Sequence, residues 1–122
     1  MELKRVVVTG LGSLTPIGNT VPEYWNSLLN GVSGADVITR FDASKFKTQF
    51  ACEVKNYDAN QFFDRKEARK YDLYAQFGIV SSNEAIKDSG IDVEKIDLDR
   101  AGVVWASGIG GLITFYNEVS DF

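Results

Sequence analysis

At 122 residues, with 44% hydrophobic and 25% charged side chains, the chain has the length and balance of one globular domain. A formal net charge of −4 argues against a molecule built as a whole to attract nucleic acid, and no apolar run approaches the roughly 20 residues that span a bilayer. Histidine is absent and Cys52 is the single cysteine, which removes Ser-His and Cys-His nucleophile pairs, the usual zinc sites and an internal disulfide. With no targeting segment in the first residues, this composition points to a reducing, cytoplasmic setting without a membrane anchor.

In chain order, Arg5 to Gly12 (R-V-V-V-T-G-L-G) reads as a strand running into glycines, its three valines fitting burial on both faces of a parallel sheet. Thr20-Val21-Pro22-Glu23 is a helix start: the Thr20 hydroxyl caps, Glu23 bonds back and Pro22 tolerates the first turn. That helix carries Tyr24, Trp25, Leu28 and Leu29 and stops at Gly31. Residues 32 to 47 read as irregular and residues 48 to 54 (T-Q-F-A-C-E-V) as a strand or extended segment, and Asp58 is placed to cap a short turn through Phe63.

The longest helix is expected from about Arg65 to Ser89, ending at Gly90, with Tyr71, Tyr74, Ala75, Gly78, Ser82, Ala85 and Ile86 at spacings of three and four. The small residues at 75, 78 and 82 leave room for another element to approach. A short turn over 94 to 98 precedes Ala101 to Ser107 (A-G-V-V-W-A-S), which reads as a second buried strand. Gly108-Ile109-Gly110-Gly111 then leads into an apolar helix from Leu112 towards Val119, within which the chain ends. This order is α/β. Two strands cannot bury a sheet core of the implied size, so apolar faces are expected to be exposed and the sequence reads as part of something larger.

Gly10-Leu11-Gly12 after a strand suggests a dinucleotide-binding turn, but the match fails. Thr15 stands where the third glycine belongs, Pro16 follows where a helix should run, and no acidic residue ends a second strand at the right distance. The second glycine turn has two readings. It is a tight turn whose glycines supply positive φ, or Ile109 projects into a cavity while its neighbours leave room for a ligand; the pattern alone favours the first.

Taken together, V-V-V-T-G-L-G-S-L-T-P-I-G-N-T (residues 6 to 20), D-R-K-E-A-R-K-Y-D (64 to 72) and A-S-G-I-G-G (106 to 111) resemble, in order and spacing, the β-ketoacyl-acyl-carrier-protein synthases of type II fatty-acid elongation. G-V-S-G at 31 to 34 and F-D-A-S at 41 to 44 agree. The resemblance covers all 122 residues but under a third of a family member, so residues 1 to 122 are expected to be an incomplete N-terminal domain. It implies part of the thiolase-like fold, a five-layer α-β-α-β-α stack that is usually homodimeric when complete.

The implied reaction is decarboxylative condensation: an acyl group passes from acyl carrier protein to a cysteine, malonyl-carrier protein loses CO2, and its carbanion attacks the thioester. Two histidines assist, and no cofactor or metal is called for. The nucleophile and both histidines fall beyond the end of this chain, so the chain alone is expected to be inactive and to contain no catalytic residue. Cys52, in F-A-C-E-V without a base to activate it, is expected to be a buried structural thiol.

Two sites follow from the resemblance. Ile109 matches the residue that lines the acyl pocket, which reverses the preference stated for its turn. Arg65, Lys66, Arg69 and Lys70 place four cations within six residues; taken alone they read as a solvated helix face, partly neutralised by Asp64, Glu67 and Asp72. The resemblance implies instead that Lys66, Arg69 and Lys70 dock the acidic acyl carrier protein. The alternative from another class is a non-catalytic carrier-binding or chain-length-factor-like partner.

Overall fold

A computed structural model describes residues 3–122. The chain divides into two compact units: Ser13–Asp58, and the leading segment to Gly12 together with Ala59–Phe122.

In Ser13–Asp58, Thr15 and Gly18 close a tight turn around Pro16 and Ile17, with Thr15 N–H donating to the Gly18 carbonyl at 2.9 Å. Helix α1 (Val21–Leu29) starts as its sequence dictates: the Thr20 side chain accepts from Glu23 N–H, and the Glu23 carboxylate accepts from the Asn19 N–H at 2.8 Å. Its end is a Schellman closure, Val32 N–H to the Ser27 carbonyl and Gly31 N–H to that of Leu28, with Gly31 at φ 63°. Two short strands, β1 (Asp36–Val37) and β2 (Phe50–Ala51), pair antiparallel, Asp36 opposite Ala51 and Val37 opposite Phe50. Both lie inside segments read as irregular or extended.

In the other unit a 3-10 turn (Ala59–Gln61) leads to α2 (Arg65–Lys70) and α3 (Leu73–Ser89), then a 3-10 turn at Leu98–Arg100 and α4 (Leu112–Ser120). Gly90, in the left-handed conformation, ends α3 where expected. The expected single helix from 65 to 89 is two. Tyr71 adopts an extended conformation (φ −100°, ψ 128°) and Asp72 starts a new helix by accepting from Tyr74 N–H. The apolar spacing runs unbroken through this point; the break comes from a competing cap.

In the unit that holds α3 the buried residues lie on that helix, at Gln76, Gly78, Val80 and Ser81, while Ala43 is buried in the Ser13–Asp58 unit. The two runs read as buried strands are not in a ladder. Val8 is 80% and Val104 96% exposed, and neither run pairs with another among the described residues. A strand exists only through its neighbours, and the described residues offer these two none. Both nevertheless lie against α3, through Gly10 and Gly12 and through Trp105. No helix of the described residues is long and apolar enough to cross a membrane.

Candidate functional site

The cationic stretch forms α2. Asp64 initiates it, its Oδ1 accepting from the N–H groups of Lys66 and Glu67 at 2.8 Å each. Glu67 sits in the first turn and Arg69 and Lys70 in the last, the arrangement the helix dipole favours. Arg65, Lys66, Arg69 and Lys70 are all exposed. The ion pairs of the described residues, Arg40–Glu53, Lys55–Asp36 and Lys95–Asp92, involve none of them, so the neutralisation expected from Asp64, Glu67 and Asp72 takes no bonded form. The Lys70 ammonium stands 5.6 Å from the centroid of the Tyr71 ring.

The end of α2 is held by a residue that sequence reasoning passed over. Gln76, 4% exposed, donates its side-chain amide to the carbonyls of Ala68 and Tyr71 at 2.8 Å each. These are the carbonyls a helix end leaves unpaired. Asp72, counted above only as a neighbouring charge, does two things. Its Oδ1 accepts from Tyr74 N–H at 3.2 Å, capping α3, and its Oδ2 accepts the hydroxyl hydrogen of Thr114 on α4. The signal for the first was present in the sequence, an Asp immediately before an apolar helix; the second joins residues 42 positions apart.

The Gly108–Gly111 turn precedes α4. Gly110 has φ 82° and its N–H donates to Ser107 Oγ at 3.3 Å. A Cβ on Gly111 would lie 2.8 Å from Asp72 Oδ2, so this glycine admits the carboxylate that reaches Thr114. Ile109 is 80% exposed and is not among the residues that wall the apolar groove along α3. That groove, of about 410 Å³, is walled by Ala75, Gly78, Ile79, Ser82, Ile86 and Trp105. Small residues at 75, 78 and 82 do admit another element: a Cβ on Gly78 would be 2.5 Å from Trp105 Cδ1.

Gly10 and Gly12 serve packing. A Cβ on Gly12 would lie 1.9 Å from the Ser81 carbonyl oxygen, and one on Gly10 2.3 Å from that of Ala85. The Leu11 N–H between them donates to Asp88 Oδ2 at 2.9 Å. The turn is thus packed against α3, and its central N–H is already bonded there. Cys52 is exposed, which corrects its expected burial. It directly follows β2, which has a partner strand on one side only. No group of three or more His, Cys, Asp or Glu is placed to hold a metal among the described residues.

Residues 3–121 match the family model of the β-ketoacyl synthase N-terminal domain. The chain belongs to the β-ketoacyl synthase family. It is 49% identical over 112 residues to a 3-oxoacyl-[acyl-carrier-protein] synthase 2 of Synechocystis sp. and 47% identical to that of Vibrio harveyi, covering 92% of this chain and 27% of each relative. The chain thus spans about a quarter of the length of these curated relatives. Among solved structures it is similar to the ishigamide ketosynthase/chain length factor (TM-score 0.66, 31% identity, 74% of this chain and 22% of that one). It is also similar to a type II polyketide-synthase ketosynthase bound to the hexaketide, in complex with its acyl-carrier protein (TM-score 0.60, 28% identity, 80% and 24%). The fold is therefore the N-terminal part of a ketosynthase, thiolase-like architecture, and the exposed valine runs are read within it.

Proposed function

We propose that this β-ketoacyl synthase segment belongs to an enzyme that elongates fatty acids by condensing an acyl-enzyme with malonyl-acyl carrier protein, losing CO2. The observation that carries this reading is the 49% identity across 92% of the chain to a 3-oxoacyl-[acyl-carrier-protein] synthase. Residues 1 to 122 form an incomplete N-terminal domain and contain no Ser-His or Cys-His pair, since histidine is absent. The chain by itself is inactive. The complete enzyme works as a cytoplasmic homodimer without cofactor or metal.

Within that enzyme Lys66, Arg69 and Lys70 dock the acidic carrier protein. Their exposure on a capped helix without bonded carboxylates supports this, because such charges steer and orient an oppositely charged partner. Ile109 contacts the acyl chain from the Gly108–Gly111 turn, its exposed side chain being available to a wall supplied by the remainder of the synthase.

The test measures condensation of acyl- and malonyl-carrier protein by the 122-residue chain and by a complete synthase that contains it. Turnover only in the complete protein is expected. Turnover by the short chain refutes the assignment of roles. A chain-length-factor-like partner is the second reading, supported by the 31% identity to the ishigamide ketosynthase/chain length factor. It predicts a complete protein that lacks condensing activity alone and gains it only with a second, catalytic subunit.

A further inference from the structure

Resting on the assignment of α2 as the carrier-docking helix, we propose that Gln76 is the positioning residue of that surface, its side-chain amide holding the cationic helix in a fixed orientation on α3. Helix α2 has six residues and buries none of them. A helix that short does not persist on propensity, so its placement must come from its contacts, with the 3-10 turn at Ala59–Gln61 and at its two ends. Asp64 secures the start. At the other end the connection to α3 is only Tyr71 and Asp72, both extended; the Phe63 ring lies 6.0 Å from that of Tyr71, an apolar contact that sets distance more than direction and leaves some rotation of α2 open.

Gln76 removes that freedom. Its Nε2 carries two hydrogens, and they go to carbonyls three positions apart, one inside α2 (Ala68) and one on the connection (Tyr71), at 2.8 Å each. Two bonds from one rigid planar group define a direction as well as a distance. At 4% exposure water cannot substitute for either bond, so loosening α2 would strand buried polar atoms. The residue type fits the task. A glutamate has no donor when ionised, and a lysine would bury a charge in the same place.

Lys66, Arg69 and Lys70 recognise a partner only as far as their spacing and direction are set beforehand. An array that must be ordered during binding loses affinity to conformational entropy. Gln76 acts on the carrier protein through α2 and touches neither carrier nor substrate.

The experiment places Gln76→Met, which keeps the size and removes both donors, and Gln76→Asn, which keeps the amide one methylene short, in the complete synthase. Each is assayed with a carrier-borne acyl substrate and with a carrier-free acyl thioester, and again in a Lys66→Glu/Arg69→Glu background. The expected result is a KM for the carrier-borne substrate raised about fivefold, with kcat/KM for the carrier-free thioester unchanged and no further rise in the charge-reversed background. Should Gln76→Met fail to fold, Gln76→Asn supplies the same comparison. An unchanged carrier-borne KM, an equal loss on both substrates, or an undiminished effect in the charge-reversed background overturns the positioning role. If charge reversal alone leaves the carrier-borne KM unchanged at low salt, the docking assignment itself falls, a result distinct from failure of Gln76.

Discussion

The Asp72 carboxylate and the Thr114 hydroxyl, 42 positions apart, are hydrogen-bonded where α3 and α4 begin. Because Asp72 also caps α3 and stands one residue beyond Tyr71, the C-cap of α2, one side chain links the connection after the cationic helix to the helix that follows the Ile109 turn. Thr114→Val removes the hydroxyl at nearly constant shape and is expected to cost about 1 kcal/mol, the usual net worth of one hydrogen bond, because the site is exposed. Thr114→Ser should recover most of it. Urea unfolding with an unchanged slope and a lowered midpoint is the readout.

Gly12→Ala is expected to destabilise by about 1–3 kcal/mol, because the new methyl would enter the space of the Ser81 carbonyl and force the leading segment off α3. The same unfolding experiment checks it. Wild-type stability would mean that this segment does not bear on α3.

Charge reversal of Lys66 and Arg69 together should raise the KM for carrier-borne substrate about tenfold at low salt in the complete synthase. The difference should shrink as added salt shortens the Debye length to a few ångströms. Thermal stability should hardly move, since neither residue is buried or ion-paired among the described residues.

Ile109→Phe should shift the complete synthase toward shorter acyl chains. At 80% exposure the substitution is expected to change the stability of this chain by less than about 0.5 kcal/mol. Product chain-length analysis decides: an unchanged distribution removes Ile109 from the acyl pocket.

Glu53 joins the β1–β2 ribbon to the segment after β1. It accepts from the Thr39 hydroxyl at 2.6 Å and from the N–H groups of Thr39 and Arg40. The Thr39 hydroxyl above all, with both backbone donors and the Arg40 charge, holds its carboxyl below the usual glutamate range. A group with a lowered folded pKa binds fewer protons folded than unfolded. Its contribution is therefore complete above the ordinary glutamate pKa and is lost as pH falls through the lower folded value. Glu53→Gln should flatten that part of the acid unfolding curve, measured by circular dichroism between neutral and strongly acidic pH.

Local chemistry was readable wherever it was local in fact. Thr20, Glu23, Gly31 and Gly90 act at the positions their sequence context gives them, because a cap is settled by residues within one turn. The division at Tyr71–Asp72 is marked in the sequence only by the Asp72 cap, which helical spacing running across it outweighs, and Gln76, which closes the end of α2, is a polar residue whose burial no periodicity announces. The valine runs misled in the other direction. Their composition is that of buried strands, yet a ladder needs neighbours that the described residues do not provide. Cys52 was misjudged for a similar reason, an apolar stretch having been equated with an enclosed one.

By itself the sequence determined the family, the cationic stretch, the glycine turns and most helix boundaries, all of which are carried by residue type and short-range spacing. Only the tertiary structure decided what those residues meet. Gly10 and Gly12 press on the α3 backbone, Gly78 receives Trp105, Gln76 completes the end of α2, and Asp72 reaches Thr114. Each of these is a contact between segments distant in the chain or across a helix break, and such contacts depend on side-chain direction and close approach, which the order of residues does not specify.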